Sequence, residues 1–481
     1  MSTTTSASGR IAALLDENSF VEIGAKVTAR STDFNLKQAK TPSDGVVTGY
    51  GVINGNLVYV YAQDASVLGG SVGEMHAKKI VNLYDLALKT GAPVIGLIDS
   101  AGLRLEEACD ALNAFGEIYA AQASASGVIP QISAVFGTCG GGLALIPTLT
   151  DFTFMEDSKA KLFVNSPNAI NGNYAEKCDT ASAKFQSEEA GIVDVVADEA
   201  TIYAQIRELV SMLPANCETD NSFAECTDDL NRACSALEGT VADTYADTAF
   251  VASTIADDNA FFEVKASYAK DMVTGFIKLN GATVGVVANR TATFDEEGKM
   301  AEEFENVLSP LGCEKAADFV NFCDAFEIPV LTLTNVAGFK ACMCSEKKIA
   351  KAAAKLTFAF ANATVPKVNV IIGKAFGSAY NVMNSKALGA DMTFAWDNAK
   401  IGMMDAKLAA KIICDGQGAD AIDACAKEYD ALQNSVDAAA ARGYVDTIIA
   451  PADTRKYLVG AFDMLYTKSV ETVAKKHGAV L

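Results

Sequence analysis

The chain has two histidines, one tryptophan and ten prolines among its 481 residues. So few histidines leave little room for catalysis by an imidazole base. A Ser–His or Cys–His device would have to use His76 or His477. His477 lies in the C-terminal tail. His76 sits in GEMHAKKI at the start of a helical pattern, where capping or packing is the expected role. There is no G-x-S-x-G elbow and no Walker loop. Basic residues are scarce: 39 Lys and Arg against 60 Asp and Glu give a net charge of −21. Such a chain is a poor partner for nucleic acid or an anionic membrane surface, which select basic patches. No apolar run reaches the about 18 residues that a membrane helix needs, and the opening, MSTTTSASGR, has no signal-peptide pattern. Twelve cysteines are scattered without a pairing rhythm, the tightest cluster being Cys342 and Cys344. Metal sites call for Cys and His at close paired spacing, so no metal is expected. Reduced thiols in a cytoplasmic protein are the reading that fits.

What the chain does have is a long internal repeat. TGAPVIGLIDSAGLR (90–104) aligns with EIPVLTLTNVAGFK (327–340), placing Pro93 on Pro329 and Gly102 on Gly338. GVIPQISAVFGTCGGGLALIP (127–147) aligns with ATVPKVNVIIGKAFGSAYNVM (363–383), placing Pro130 on Pro366, Gly137 on Gly373 and Gly141 on Gly377. All five pairs share one offset. Further out the offset drifts, as insertions would make it do. TGYGVINGNLVYVYAQD (48–64) falls on TGFIKLNGATVGVVANR (274–290), and Asp151 on Asp391. Two domains of one fold are therefore expected, at 1–225 and 245–481, joined by an acidic, polar, partly helical connector, PANCETDNSFAECTDDLNRACSALEG.

Each half shows the same order of elements. A hairpin turns at Asn54-Gly55 or Asn280-Gly281. A helix follows, at 73–90 or 314–326. Next come a buried strand (PVIGLID or PVLTLTN) ending in a small-residue loop, a second helix, and another buried strand (QISAVFG or KVNVIIG) ending in a glycine-rich loop. Short apolar runs alternating with helices mean an α/β architecture, and such folds bind ligands at the C-terminal ends of their strands. Small residues there let main-chain N–H groups approach a ligand. Two such groups, one from each loop, can hold an oxygen that gains negative charge; losing one donor costs about 10²–10³ in rate. The candidates are Gly102 and Leu103 with Gly141 and Gly142 in the first half. In the second half they are Gly338 and Phe339 with Ser378 and Ala379. The competing explanation is that these glycines only permit tight turns.

These stretches, with SDGVVTGYGVINGNLVYVYAQD, LTDFTFM, KAADFVNFCDAFEIPV and RGYVDTIIAPADTRKYL, resemble the carboxyltransferase subunits of biotin-dependent acyl-CoA carboxylases and decarboxylases. That group includes propionyl-CoA carboxylase β and methylmalonyl-CoA decarboxylase α. The resemblance covers roughly 10–170 and 240–481. It implies two tandem crotonase-like (ClpP/crotonase) domains related by internal duplication, the first on the acyl-CoA side and the second on the biotin side. It implies transfer of a carboxyl group between carboxybiotin, on a separate carrier protein, and an acyl-CoA such as propionyl- or methylmalonyl-CoA. Gly141 and Gly142 match a hole for the thioester enolate oxygen, and Ser378 and Ala379 a hole for the ureido oxygen of biotin. Asn381 matches an acyl-selecting pocket position, and Lys79 and Arg104 fall at basic positions near CoA. The resemblance further implies a dimer-based homo-oligomer, up to a hexamer, with the active site between the first domain of one chain and the second domain of another. The other implied partner is a biotin carboxylase, or a membrane decarboxylase subunit that would bring the chain to a membrane.

No Met-Lys-Met biotin-attachment motif is present; Gly298-Lys299-Met300 lacks its first Met. Two departures fall on the biotin side. AGFKACMCSEKKIAKAAAKL replaces the Gly and Gln-Glu loop and the His-Gly-Ala-Lys helix start of the family, and Ser378 replaces a Gly. The segment FDEEGKMAEEFENVLSPLG replaces a shorter loop and reads as a lid or partner contact. Two alternatives remain at this point. One is a crotonase-type hydratase, isomerase or thioesterase using Glu106 or Glu107. The other is a non-catalytic scaffold subunit.

Overall fold

The computed structural model describes residues 6–30, 40–173, 177–219, 225–238, 246–295 and 297–470. His477 lies outside them. The chain divides into two compact units, residues 1–220 and 221–481. Among the described residues no helix is long and apolar enough to cross a membrane.

The first unit is built on one eight-stranded sheet: β1 (Val21–Ile23), β2 (Val46–Ile53), β3 (Asn56–Gln63), β4 (Val94–Ser100), β5 (Gln131–Gly140), β6 (Phe152–Glu156), β7 (Lys161–Phe163) and β8 (Val195–Ala197). Its order is β1-β2-β3-β4-β5-β6-β8, with β7 also pairing β5. The first three strands pair antiparallel and the rest parallel. The β2–β3 turn has Asn54 at φ 49° and Gly55 at φ 81°. Two consecutive left-handed residues make the turn that matches strand twist, and Asn-Gly adopts it at little cost.

The second unit has β9 (Phe261–Val264), β10 (Met272–Leu279), β11 (Ala282–Asn289), a separate two-stranded ribbon of β12 (Ala292–Phe294) and β13 (Met300–Glu303), then β14 (Val330–Val336), β15 (Lys367–Phe376), β16 (Met392–Trp396), β17 (Lys400–Gly402) and β18 (Thr447–Ile449). The main sheet runs β18-β16-β15-β14-β11-β10-β9, with β17 pairing β15. This is the strand order of the first unit read from the other edge. Asn280 and Gly281 repeat the turn, at φ 52° and 77°. The central strands β4 and β14 are buried along almost their whole length and mostly apolar, as covered parallel strands require.

Corresponding polar devices pin the strands. Asp151 accepts the N–H of Gln131 at 2.7 Å, and Asp391 that of Lys367 at 2.8 Å. Asp194 accepts from Thr153 at 2.6 Å, and Asp446 from Thr393 at 2.8 Å. A carboxylate at each strand start satisfies a main-chain donor that would otherwise be buried unpaired.

Two segments differ from the sequence expectation. The acidic stretch read as a connector is in part built into the second unit. Cys234 and Leu237 are buried in its core, and the Cys234 N–H donates to the Ala452 carbonyl at 2.8 Å. The helix expected at 314–326 runs over Pro310–Ala325. It starts a turn earlier because Ser309 caps it, accepting the Gly312 N–H at 3.0 Å, and Pro310 is pre-set for the first helical position. The segment 294–312 contributes the β12–β13 ribbon and that cap.

Candidate functional site

In each unit two loops meet the site from adjacent parallel strands. The loop after β4 is stapled to the chain before the Glu74–Thr90 helix. Val72 donates to the Gly102 carbonyl at 2.8 Å, and its own carbonyl accepts the Arg104 N–H at 3.0 Å. After β14, Leu308 does the same with Gly338 and Lys340, both at 2.9 Å. The residues between, Leu103 and Phe339, are the bridge partners of Val72 and Leu308. In such a bridge the flanking groups bond to the neighbour, so the N–H of the middle residue points away from it. The Leu103 and Phe339 amides therefore point away from Val72 and Leu308.

The glycine-rich loops follow β5 and β15. Gly141 and Gly377 have φ 65° and 62°, a conformation that favours glycine. Each turns the chain directly into a short helix, Gly141–Ala144 and Gly377–Val382. The first N–H groups of a helix have no partner within it. Gly141 and Gly142, and Ser378 and Ala379, hold those positions. A Cβ added at Gly141 would meet no heavy atom within 4 Å, so the space beside this residue's Cα is open. A Cβ at Gly102 would come 3.5 Å from the Gly140 carbonyl, which places the two loops of the first unit side by side. Tyr119 braces the arrangement: its hydroxyl donates to the Gly142 carbonyl at 2.5 Å, and its ring stacks on Phe115 at 5.9 Å.

Three candidates have other roles. The Gly102 N–H already donates to Ser100 Oγ at 3.1 Å, so Gly102, at φ 96°, shapes the loop and Leu103 is its available donor. Lys79 is buried; its Nζ donates to the carbonyls of Ser43, at 3.1 Å, and of Val46. Burial brings its pKa down to about 8. Lys315 is its counterpart, donating to the carbonyls of Lys265, Tyr268 and Met272 at 2.7–2.9 Å. Arg104 is also buried. Its guanidinium lies 2.7 Å from both Asp44 and Glu107 and donates to the Ser71 carbonyl at 2.7 Å. Both cations are occupied by groups of the chain itself.

Of the side-chain bases raised by the sequence, Glu106 is exposed just after Arg104, while Glu107 and His76 are committed to other groups. Glu107 takes Arg104 on one oxygen and the Glu74 N–H, at 2.6 Å, on the other. His76 is fully buried: Nδ1 donates to the Asp44 carbonyl at 3.0 Å and Nε2 accepts from Gln63 at 3.2 Å. Burial, reinforced by the positive charge of Arg104, pulls its pKa down to about 3, so the ring is neutral near pH 7.

Ser378 and Asn381 line a cavity of about 670 Å³ in the second unit, together with Met403, Gln433, Arg442 and Tyr444. The Asn381 side chain accepts from Ser385 Oγ at 3.2 Å. Arg442 donates to Gln433 Oε1 at 3.2 Å. Arg442 and Tyr444 open the family-like stretch RGYVDTIIAPADTRKYL, but nothing local in the sequence ties them or Gln433 to Ser378; chain folding brings them there.

The carboxyl transferase domain family matches residues 4–480. The propionyl-CoA carboxylase β chain of Roseobacter denitrificans is 41% identical over 97% of this chain and 92% of its own length. The methylmalonyl-CoA decarboxylase subunit α of Propionigenium modestum is 39% identical over 98% of this chain and 92% of its own. A crystal structure of transcarboxylase 12S, with methylmalonyl-CoA and methylmalonic acid bound, superposes with a TM-score of 0.91 at 37% identity, covering 99% of this chain and 92% of that one. With this coverage, on top of main-chain amides presented at strand ends in both units, the chain belongs to the carboxyl transferase domain family of acyl-CoA carboxylases and decarboxylases.

Proposed function

We propose that this chain transfers a carboxyl group between biotin, carried on a separate protein, and a short acyl-CoA such as propionyl- or methylmalonyl-CoA. The first unit takes the acyl-CoA and the second takes biotin, each being one crotonase-like domain of an internal duplication. The observation that carries this reading is the equivalence of Gly141 and Gly377. Both are left-handed residues that open a short helix beside a second, stapled loop.

In the first unit, Leu103 with Gly141 and Gly142 hold the thioester oxygen. Negative charge grows on that oxygen when the acyl α-carbon loses a proton or a carboxyl group. Fixed dipoles stabilise such charge without having to reorganise, and rate follows from that. In the second unit, Phe339 with Ser378 and Ala379 face the ureido oxygen. The cavity beside Ser378 falls within the about 300–1,000 Å³ of ordinary ligand pockets. An open approach at Gly338, where an added Cβ would meet nothing within 4 Å, also fits a bulky bicyclic group. Biotin, when bound, supplies the carrier atom for the carboxyl. The chain's own residues orient the two partners and polarise their oxygens. Asn381, on the cavity wall, takes part in selection of the substrate.

The full-length chain works as a homo-oligomer, alongside a biotin carrier and either a biotin carboxylase or a membrane decarboxylase subunit. Leu408, Ile412 and Ile413 on the Ala406–Ile413 helix are exposed, and covering such a face favours association. The transcarboxylase 12S structure is described as a hexamer assembly.

The test is exchange of labelled carboxyl between methylmalonyl-CoA and free biotin, catalysed by the purified full-length chain. Formation of propionyl-CoA in step with labelled carboxybiotin is expected. Hydration or hydrolysis of the acyl-CoA without carboxyl transfer would overturn the reading.

A further inference from the structure

The loop that continues from Phe339 carries Cys342-Met343-Cys344. Both thiols are exposed, and their sulfurs stand 3.8 Å apart. A disulfide bond is about 2.05 Å long, so the sulfurs need to close by less than about 2 Å to join. Cys342 Sγ also accepts the Ser345 N–H at 3.4 Å, and its carbonyl accepts the Glu346 N–H at 2.9 Å, so the sulfur is held in place over the Met343–Glu346 turn. Up to Lys340 the loop is fixed by the Leu308 staple, and Ser345 beyond it is buried. The two sulfurs therefore share a short, anchored span of chain.

The other cysteines differ. Cys139, Cys234, Cys313 and Cys323 are buried, and burial raises each thiol, Cys313 up to about 12. Cys425 is raised by its neighbour Cys414. Cys342 is lowered, first by the Ser345 N–H and further by Cys344 and the charge of Lys340. The thiolate is the nucleophile, so this sulfur is the one poised to react.

We propose that Cys342 and Cys344 form an oxidisable dithiol, a modification site that closes to an intramolecular disulfide with a hydroperoxide as oxidant. The Cys342 thiolate attacks one peroxide oxygen, the O–O bond breaks, and the departing hydroxide takes up the thiol's proton as water. The Cys344 sulfur then attacks the resulting S–OH; the S–S bond forms, the S–O bond breaks, and a second water leaves with the Cys344 proton. Two electrons from the two sulfurs reduce the peroxide to two waters.

The experiment uses the full chain exposed to stoichiometric hydrogen peroxide, followed by alkylation, non-reducing tryptic digestion and mass spectrometry. Lys340 and Lys347 flank the pair, so both sulfurs fall in one peptide, 341–347. That peptide should lose two hydrogens, reversibly with dithiothreitol, at least about tenfold faster than exposed Cys109 or Cys178 is modified. In Cys344→Ser, Cys342 should instead be trapped by dimedone as a sulfenic acid. The proposal fails if both thiols survive while Cys109 or Cys178 reacts. It fails equally if the pair ends as separate sulfonic acids or in bonds to other chains, or if dimedone labels Cys342 in Cys344→Ser no faster than Cys109.

Discussion

Substituting Gly141 by alanine separates the two jobs a glycine can do. Its φ of 65° makes the change cost about 1 kcal/mol in the folded state, the usual penalty for a side chain in the left-handed region. No further clash adds to this, because the new Cβ meets no heavy atom within 4 Å. For a unit of this size the melting temperature should fall by roughly 2–4 °C. On the proposed role of this loop, the same methyl crowds the approach of the thioester oxygen to the Gly141 and Gly142 amides. Turnover should fall by about 10²–10³, the cost of losing one such donor. Gly55 supplies the control. It has φ 81°, its added Cβ also meets nothing within 4 Å, and it lies in the β2–β3 turn. Gly55→Ala should lose the same few degrees and keep wild-type turnover. Proline is the wrong probe at 141, since it holds φ near −65°. The assay is kcat for carboxyl exchange beside a thermal melt for both variants. Equal turnover in Gly141→Ala and Gly55→Ala would refute the role given to the Gly141 loop.

Other outcomes follow from the buried groups. Arg104→Met leaves Asp44 and Glu107 facing each other without a cation, and should destabilise the first unit by about 3–5 kcal/mol in urea unfolding, with KM for acyl-CoA unchanged in the folded fraction; a raised KM at unchanged stability would restore Arg104 to the CoA site. Lys79→Met and Lys315→Met each strip donors from buried carbonyls, and each should cost about 1–3 kcal/mol, the two adding in the double variant. His76 takes up a proton near its ordinary 6.5 when unfolded but only near 3 when folded, so the stability it contributes is complete above pH 6.5 and is lost as pH falls toward 3. Between pH 6.5 and 5 the loss should be about 2 kcal/mol, and His76→Gln should flatten that slope in acid titrations.

Much of the architecture could be read from residues alone, for physical reasons. Asn54-Gly55 and Asn280-Gly281 name their turn because few other pairs tolerate two left-handed residues. The four buried strands betray themselves as short, mainly apolar and β-branched runs between helical patterns, which a covered parallel sheet accommodates. The helix at Pro310 was legible too, had Ser309-Pro310 been weighed as a cap. Charge misleads more easily. Lys79 and Arg104 match CoA-side basic positions by resemblance alone, and both are buried, which is uncommon for lysine and arginine. Nothing local reveals that carbonyls from residues 43 to 46, or the Asp44 carboxylate, wait for them. Likewise Gly102 has the right residue type and position, but Ser100 two residues earlier takes its amide. Arg442 and Tyr444 reach the Ser378 cavity through tertiary folding, which leaves no periodic trace.

The most direct test watches the oxygen itself. Propionyl-CoA labelled at the thioester carbonyl carbon can be followed by isotope-edited vibrational spectroscopy when bound to the full-length protein. Two amides aimed at that oxygen should weaken the carbonyl bond, shifting its stretch to lower frequency than in solution, and Gly141→Ala should return it toward the solution value. A bound thioester with an unshifted carbonyl would contradict the account.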